Sequence, residues 1–172
     1  MRPSRLASLD STVWHRRRDR EAYHRRHVRV DLRRDAGKPA TARAGIASVD
    51  DIFACVENGG DTFDCVAPAR CARNGAIFTR DGRYNVKRAQ HKFDFGPLEE
   101  GCDCYTCQHY TRAYVDHLLR AREFNGFTLA TIHNERFFVK LLDDIRASID
   151  GGYFDEFRDE SLARFYANGP RG

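Results

Sequence analysis

Hydrophobic positions along the chain fall into short runs whose spacing changes from segment to segment. Val49, Ile52, Phe53 and Val56 share one helical face, and Asn58-Gly59 supplies a stop after them. Ser48, with Asp51 three residues on, has the spacing of a capping box with Asp in place of Glu. Gly45-Ile46-Ala47 reads as the end of a short strand before that helix. Thr62 to Ala67 reads as a strand after it, apolar except for Asp64 and ended by Pro68. Strand, helix and strand in such quick succession is the pattern of a βα repeat.

Residues 76–88 predict a hairpin: Ala76-Ile77-Phe78-Thr79, a turn at Asp81-Gly82, then Tyr84-Asn85-Val86. Tyr114, Val115, Leu118 and Leu119 predict a helix that stops at Asn125-Gly126. Phe127 to Ile132 reads as a strand. Asn134 then caps a helix with the stripe Phe137, Phe138, Leu141, Leu142, Ile145 and Ile149, closed by Gly151-Gly152. The pattern therefore predicts a second βα unit, with a β-rich, cysteine-bearing insertion between the two. No internal repeat of solenoid period accompanies it.

With 172 residues, 41% of them hydrophobic, the chain has material for one modest domain. No apolar run approaches the roughly 20 residues of a membrane helix, and the arginine-rich start lacks the apolar core of a secretory signal. A soluble, cytoplasmic protein is expected. The net charge of +4 is unevenly placed: residues 1–36 hold 11 arginines against five acids, and the remainder is slightly acidic. Residues 1–37 read as a disordered, solvated segment.

Cys102-Asp-Cys104-Tyr-Thr-Cys107 crowds three thiols onto one tight knuckle, too close together for an ordinary disulfide framework. A structural zinc, one per chain, is the expected occupant, because zinc favours four tetrahedral sulfur or imidazole ligands. By spacing alone the fourth ligand is open among His133, His109 and His117. The other cysteines, Cys55, Cys65 and Cys71, lack paired spacing and read as packing residues.

Phe63-Asp64-Cys65-Val66-Ala67-Pro68-Ala69-Arg70-Cys71-Ala72-Arg73-Asn74-Gly75 resembles the strand-and-loop signature of the tRNA-guanine transglycosylases. The cysteine knuckle, followed by Tyr110-Thr111-Arg112-Ala113-Tyr114 and Thr131-Ile132-His133-Asn134, resembles the zinc region of the same family, bacterial branch. The resemblance runs from about Lys38 to Tyr166. It implies the C-terminal portion of a (β/α)8 TIM barrel over residues 38–172, with an inserted zinc-binding subdomain at about 76–133. The implied activity exchanges the wobble guanine of tRNA for a 7-deazaguanine, either 7-aminomethyl-7-deazaguanine or queuine.

Matched by motif, Asp64 stands at the family's nucleophile and is expected as a lone buried acid in its strand. Arg70 and Arg73 stand at positions that contact the RNA near the anticodon, with Arg83, Lys87, Arg88 and Lys92 behind them. Cys102, Cys104, Cys107 and His133 stand at the four zinc ligands, and a homodimer is the family expectation. The family's general base and base-recognition pocket belong to earlier strands, and Ala40 to Ala44 is more polar than its pattern. A truncated reading of a longer gene is therefore expected, with an exposed sheet edge and a need for a partner. The alternative is a catalytically inactive, zinc-stabilised remnant that binds tRNA or a subunit.

Overall fold

The computed structural model of the chain describes residues 42–45 and 48–167. In chain order these form β1 (Ala42–Ala44), α1 (Val49–Glu57), β2 (Thr62–Asp64), α2 (Ala67–Arg73), β3 (Ala76–Thr79) and β4 (Gly82–Asn85). A 3-10 turn (Ala89–His91), α3 (Tyr105–His109), α4 (Arg112–Arg120), α5 (Phe124–Gly151) and α6 (Phe154–Tyr166) follow. The expectations for residues 1–37 lie outside the described residues.

β1 and β2 pair in parallel, with Ala42 opposite Thr62 and Ala44 opposite Asp64, and α1 connects them. This is the first predicted βα unit. Its helix ends where Asn58-Gly59 predicts, the Gly59 N–H donating to the Val56 carbonyl at 2.8 Å. The predicted capping box does not form: Ser48 occupies the N-cap position but its side chain makes no cap bond. Asp50 and Asp51 in the first turn face the positive end of the helix instead. β2 is also shorter than predicted. Pro68, expected to end it, sits in the first turn of α2, where a missing N–H leaves no helical bond unmade.

β3 and β4 form the predicted antiparallel hairpin. Its turn falls one residue early, at Arg80-Asp81, because Gly82 pairs with Thr79. Ile77 and Phe78 point to opposite faces of β3, as neighbours on a strand must, and each enters a different core. Ile77 packs with Ala72, Val86, Leu98, Val115, Leu118, Leu119, Leu129 and Ala130. Phe78 joins Val49, Ile52, Phe53, Phe137, Phe138, Ile145 and Phe165.

The largest departure from the sequence reading is α5. A single helix of 28 residues replaces the strand predicted at Phe127 to Ile132 and the helix predicted to begin at Asn134. Leu129, Ala130, His133, Asn134, Phe137 and Phe138 are all buried and recur at helical spacing, so one face of α5 serves both cores in turn. Gly152, at φ 74°, closes it in the left-handed conformation as Gly151-Gly152 predicts. No second βα unit exists among the described residues. No described helix is long and apolar enough to cross a membrane.

Candidate metal centre and the Asp64 segment

Four side chains converge where the knuckle meets the middle of α5. Cys104 is the N-cap of α3, its sulfur accepting the Cys107 N–H at 3.3 Å, and this short helix wraps the three thiols around one point. His133 enters from α5, not from a strand end as the sequence reading has it, and is fully buried. Its Nδ1 lies 3.6 Å from Cys102 Sγ, 3.6 Å from Cys104 Sγ and 3.3 Å from Cys107 Sγ. All four ligand atoms lie within 4.8 Å of one another.

That arrangement fits a tetrahedral ion. Bonds of about 2.3 Å to sulfur and about 2.05 Å to nitrogen place each sulfur roughly 3.5 Å from the nitrogen. The second ring nitrogen of His133 donates to the Phe78 carbonyl at 2.8 Å, which directs Nδ1 at the sulfurs. The competing histidines are elsewhere: His109 lies on the exposed side of α3 with Nδ1 2.9 Å from the Tyr105 carbonyl, and His117 is exposed on α4.

The crowded thiols do not ionise independently. Hydrogen bonds from Cys102 and Cys107, and main-chain N–H groups behind them, hold the Cys104 thiol far below its ordinary value, at about 3. The same crowding pushes Cys107 upward, because a third sulfur beside Cys102 and Cys104 resists ionisation. Three thiolates share this space only around positive charge.

The Asp64 segment reaches the cores through Phe63, Cys71 and Ala72, while its charged side chains face outward. Asp64 is the last residue of β2, and its side chain is exposed, not buried as the sequence reading has it. Among the described residues β1 is the only strand beside β2. Three residues later α2 begins; Arg70 and Arg73, both exposed, occupy its last turn. Of the basic residues further on, Arg83 is exposed on β4 and Lys87 lies over the Asn74-Gly75 turn. The ammonium of Lys92 sits 5.4 Å from the Phe93 ring centre. The structure thus gathers the four candidate ligands at one point and places Asp64, Arg70 and Arg73 along a different, continuous stretch of chain.

The sequence profile of the queuine tRNA-ribosyltransferase family matches residues 32–167, most of the chain. The chain belongs to this family. The queuine tRNA-ribosyltransferase of Symbiobacterium thermophilum is 46% identical over 123 residues, covering 72% of this chain and 31% of that protein. The namesake proteins of Staphylococcus epidermidis and Dictyoglomus turgidum are 48% and 47% identical, with 33% and 31% of their lengths covered. The chain therefore spans about a third of the length of the curated relatives it matches.

Within this family member, sequence reasoning missed two polar clusters that hold the site. Asn134, read as a helix cap, is fully buried inside α5 and bonds three main-chain groups of other elements. Arg112 bonds Asp94, Tyr84 and the Leu98 carbonyl, and so fixes the loop leading into the knuckle. The only signals were their places in the motifs Thr131-Ile132-His133-Asn134 and Tyr110-Thr111-Arg112-Ala113-Tyr114, which gave neither residue a role. A cavity of about 290 Å³ opens between the knuckle, α5 and α6. Its rim charges are largely paired, Asp103 with Arg136 and Lys140 with Asp144, and neither Asp64 nor Arg70 lines it.

Proposed function

We propose that this chain carries the C-terminal part of a TIM-barrel tRNA-guanine transglycosylase over residues 38–172, with its zinc-binding subdomain at about 76–133. The enzyme acts in the cytoplasm, as a homodimer, on the wobble guanine of tRNA. It replaces that guanine with a 7-deazaguanine. The observation that carries the reading is the run from Asp64 at the end of a parallel strand into the helix bearing Arg70 and Arg73, inside a chain of this family. Barrel enzymes keep their reactive groups at that end of the strands.

The chemistry follows from a carboxylate free to reach a sugar. Asp64 attacks C1′ of the ribose, a C–O bond forms as the C1′–N9 bond breaks, and guanine leaves with the electron pair. The incoming deazaguanine then displaces the carboxylate, and two inversions retain the configuration. Arg70 and Arg73 neutralise backbone phosphates and set the register of the RNA. Cys102, Cys104, Cys107 and His133 hold a structural zinc, which leaves no open coordination position and supplies folding free energy.

Incorporation of labelled guanine into tRNA tests this. Asp64→Asn is expected to lower exchange by at least about a thousandfold while RNA binding stays within about twofold. Exchange undiminished in that variant, or a covalent adduct on another side chain, overturns the role of Asp64. Binding without any exchange identifies the chain as a tRNA-holding remnant.

A further inference from the structure

The two polar residues in the middle of α5 both act on Phe78. His133 Nε2 donates to its carbonyl at 2.8 Å, and its N–H donates to Asn134 Oδ1 at 3.1 Å. The other end of the Asn134 carboxamide donates to the Pro68 carbonyl at 3.1 Å and to the Ala76 carbonyl at 2.9 Å. The orientation is forced: a main-chain N–H faces the oxygen and two carbonyls face the nitrogen. Pro68 is in the first turn of α2, four residues after Asp64 and two before Arg70.

We propose that Asn134 is a positioning residue that transmits the fixed geometry of the metal knuckle to α2, and thereby sets where Arg70 and Arg73 stand. The inference rests on the proposed function in one respect, that those arginines meet RNA. α2 is held against α5 by Ala72, buried in the first core, and by the Asn134 bond to Pro68. α2 has only seven residues, too few to be stable or located by its own hydrogen bonds. A ligand that fixes His133 Nδ1 fixes the ring, its bond to Phe78 and hence the register of β3 on α5. Asn134, one residue on, carries that register to Pro68. It is fully buried, so water cannot replace its bonds. Asp in its place keeps the shape but turns a carboxylate oxygen toward two carbonyls.

Hydrogen exchange on the zinc-loaded 172-residue chain is the test. In Asn134→Asp and Asn134→Ala, zinc is expected to stay at one per chain and the amides of residues 102–109 to stay protected. Those of residues 69–75 are expected to exchange at least about tenfold faster. Stripping zinc from the unsubstituted chain must loosen residues 69–75 as well, and by more than α6, which packs on the other core. Protection of residues 69–75 within about twofold of the original in both variants overturns the proposal. If neither variant folds, the zinc-stripped original decides, and equal loosening of α2 and α6 overturns it. Binding of an anticodon stem-loop should weaken about tenfold in the Asn134 variants. Undiminished binding with α2 loosened overturns the link to Arg70 and Arg73. Absence of RNA binding in the original chain sinks the proposed function, while the exchange comparison still decides the role of Asn134.

Discussion

His133 presents one ring nitrogen to three sulfurs and donates from the other to the carbonyl of Phe78, 2.8 Å away. The candidate ligand is therefore bound into a strand that carries a core residue, and the knuckle and the hydrophobic interior share one anchor. Removing a sulfur should be felt in both. Cys104→Ser is expected to reduce zinc from one equivalent per chain to below about a tenth, and to lower the thermal midpoint with it. Elemental analysis of purified protein and thermal unfolding with and without a chelator check this. Zinc retained in the serine variant would remove Cys104 from the site.

The aromatic core between α1, α5 and α6 is expected to carry much of the stability on the far side of β3. Phe53 is fully buried, with the rings of Phe154 and Phe157 at 6.2 and 5.9 Å. Phe53→Ala leaves a cavity that two flanking helices cannot close, at a cost of about 3–5 kcal/mol. Urea unfolding should show an earlier midpoint with an unchanged slope. A loss under about 1 kcal/mol would mean that α6 is not packed on α1 in solution.

Arg70 and Arg73 make a quantitative claim through salt. If each neutralises one phosphate, each Arg→Ala change reduces the slope of log affinity against log salt by about 0.7–0.9, and both together by about twice that. Titrations of an anticodon stem-loop at several salt concentrations measure it. Weakened binding with an unaltered slope would assign the arginines to structure and not to phosphate.

His91 gives a pH dependence with a definite sign. It is buried against the Tyr84 ring, and Nδ1 has no hydrogen-bond partner among the described residues, with Asp94 Oδ2 3.6 Å away. Burial holds its imidazole below the ordinary 6.5; Asp94 opposes this, Arg112 adds to it, and Asp116 opposes it more weakly. On acidification the unfolded chain takes up this proton first. The contribution is complete above about pH 6.5 and is lost as pH falls toward the folded value, at no more than about 1.4 kcal/mol per pH unit. His91→Gln should show a shallower decline between pH 7 and 5.5. The three thiols and His133 contribute to both curves and drop out of the difference, so identical slopes would refute the assignment.

The same residues show how far the sequence could be read. The knuckle was legible because three thiols so close in sequence must meet in space, and α1 and the hairpin because the local hydrophobic pattern is clear there, although the cap bond and the turn position were not. The α5 region was not. Phe127 to Ile132 is a short, nearly continuous apolar run, which reads equally well as a buried strand or as part of a helix. His133 and Asn134 then look like a boundary, since polar residues at such a point usually cap. Their partners, Phe78 and Pro68, lie more than fifty residues away in sequence, so the reason they are buried was not local. The exposure of Asp64 was equally hidden, because it depends on what lies beside β2.

Gly126 supplies the sharpest local test. With Asn125 it looks like a helix stop, yet it lies inside the first turn of α5 and is buried. A Cβ there would stand 2.8 Å from Leu118 Cβ and 3.0 Å from the Leu119 nitrogen, so the glycine is present for the close approach of α5 to α4. In an ordinary helix interior Gly→Ala stabilises by about 1 kcal/mol. Here the contacts include main chain, which cannot swing away, and Gly126→Ala is expected to destabilise by about 1–3 kcal/mol net. The displacement would also reach the knuckle, because Thr106 of α3 donates to the Leu129 carbonyl at 2.7 Å, one turn further along α5. Zinc should then leave faster to a chelator in the alanine variant than in the original chain. A variant of equal or greater stability would mean that the two helices do not meet at this residue.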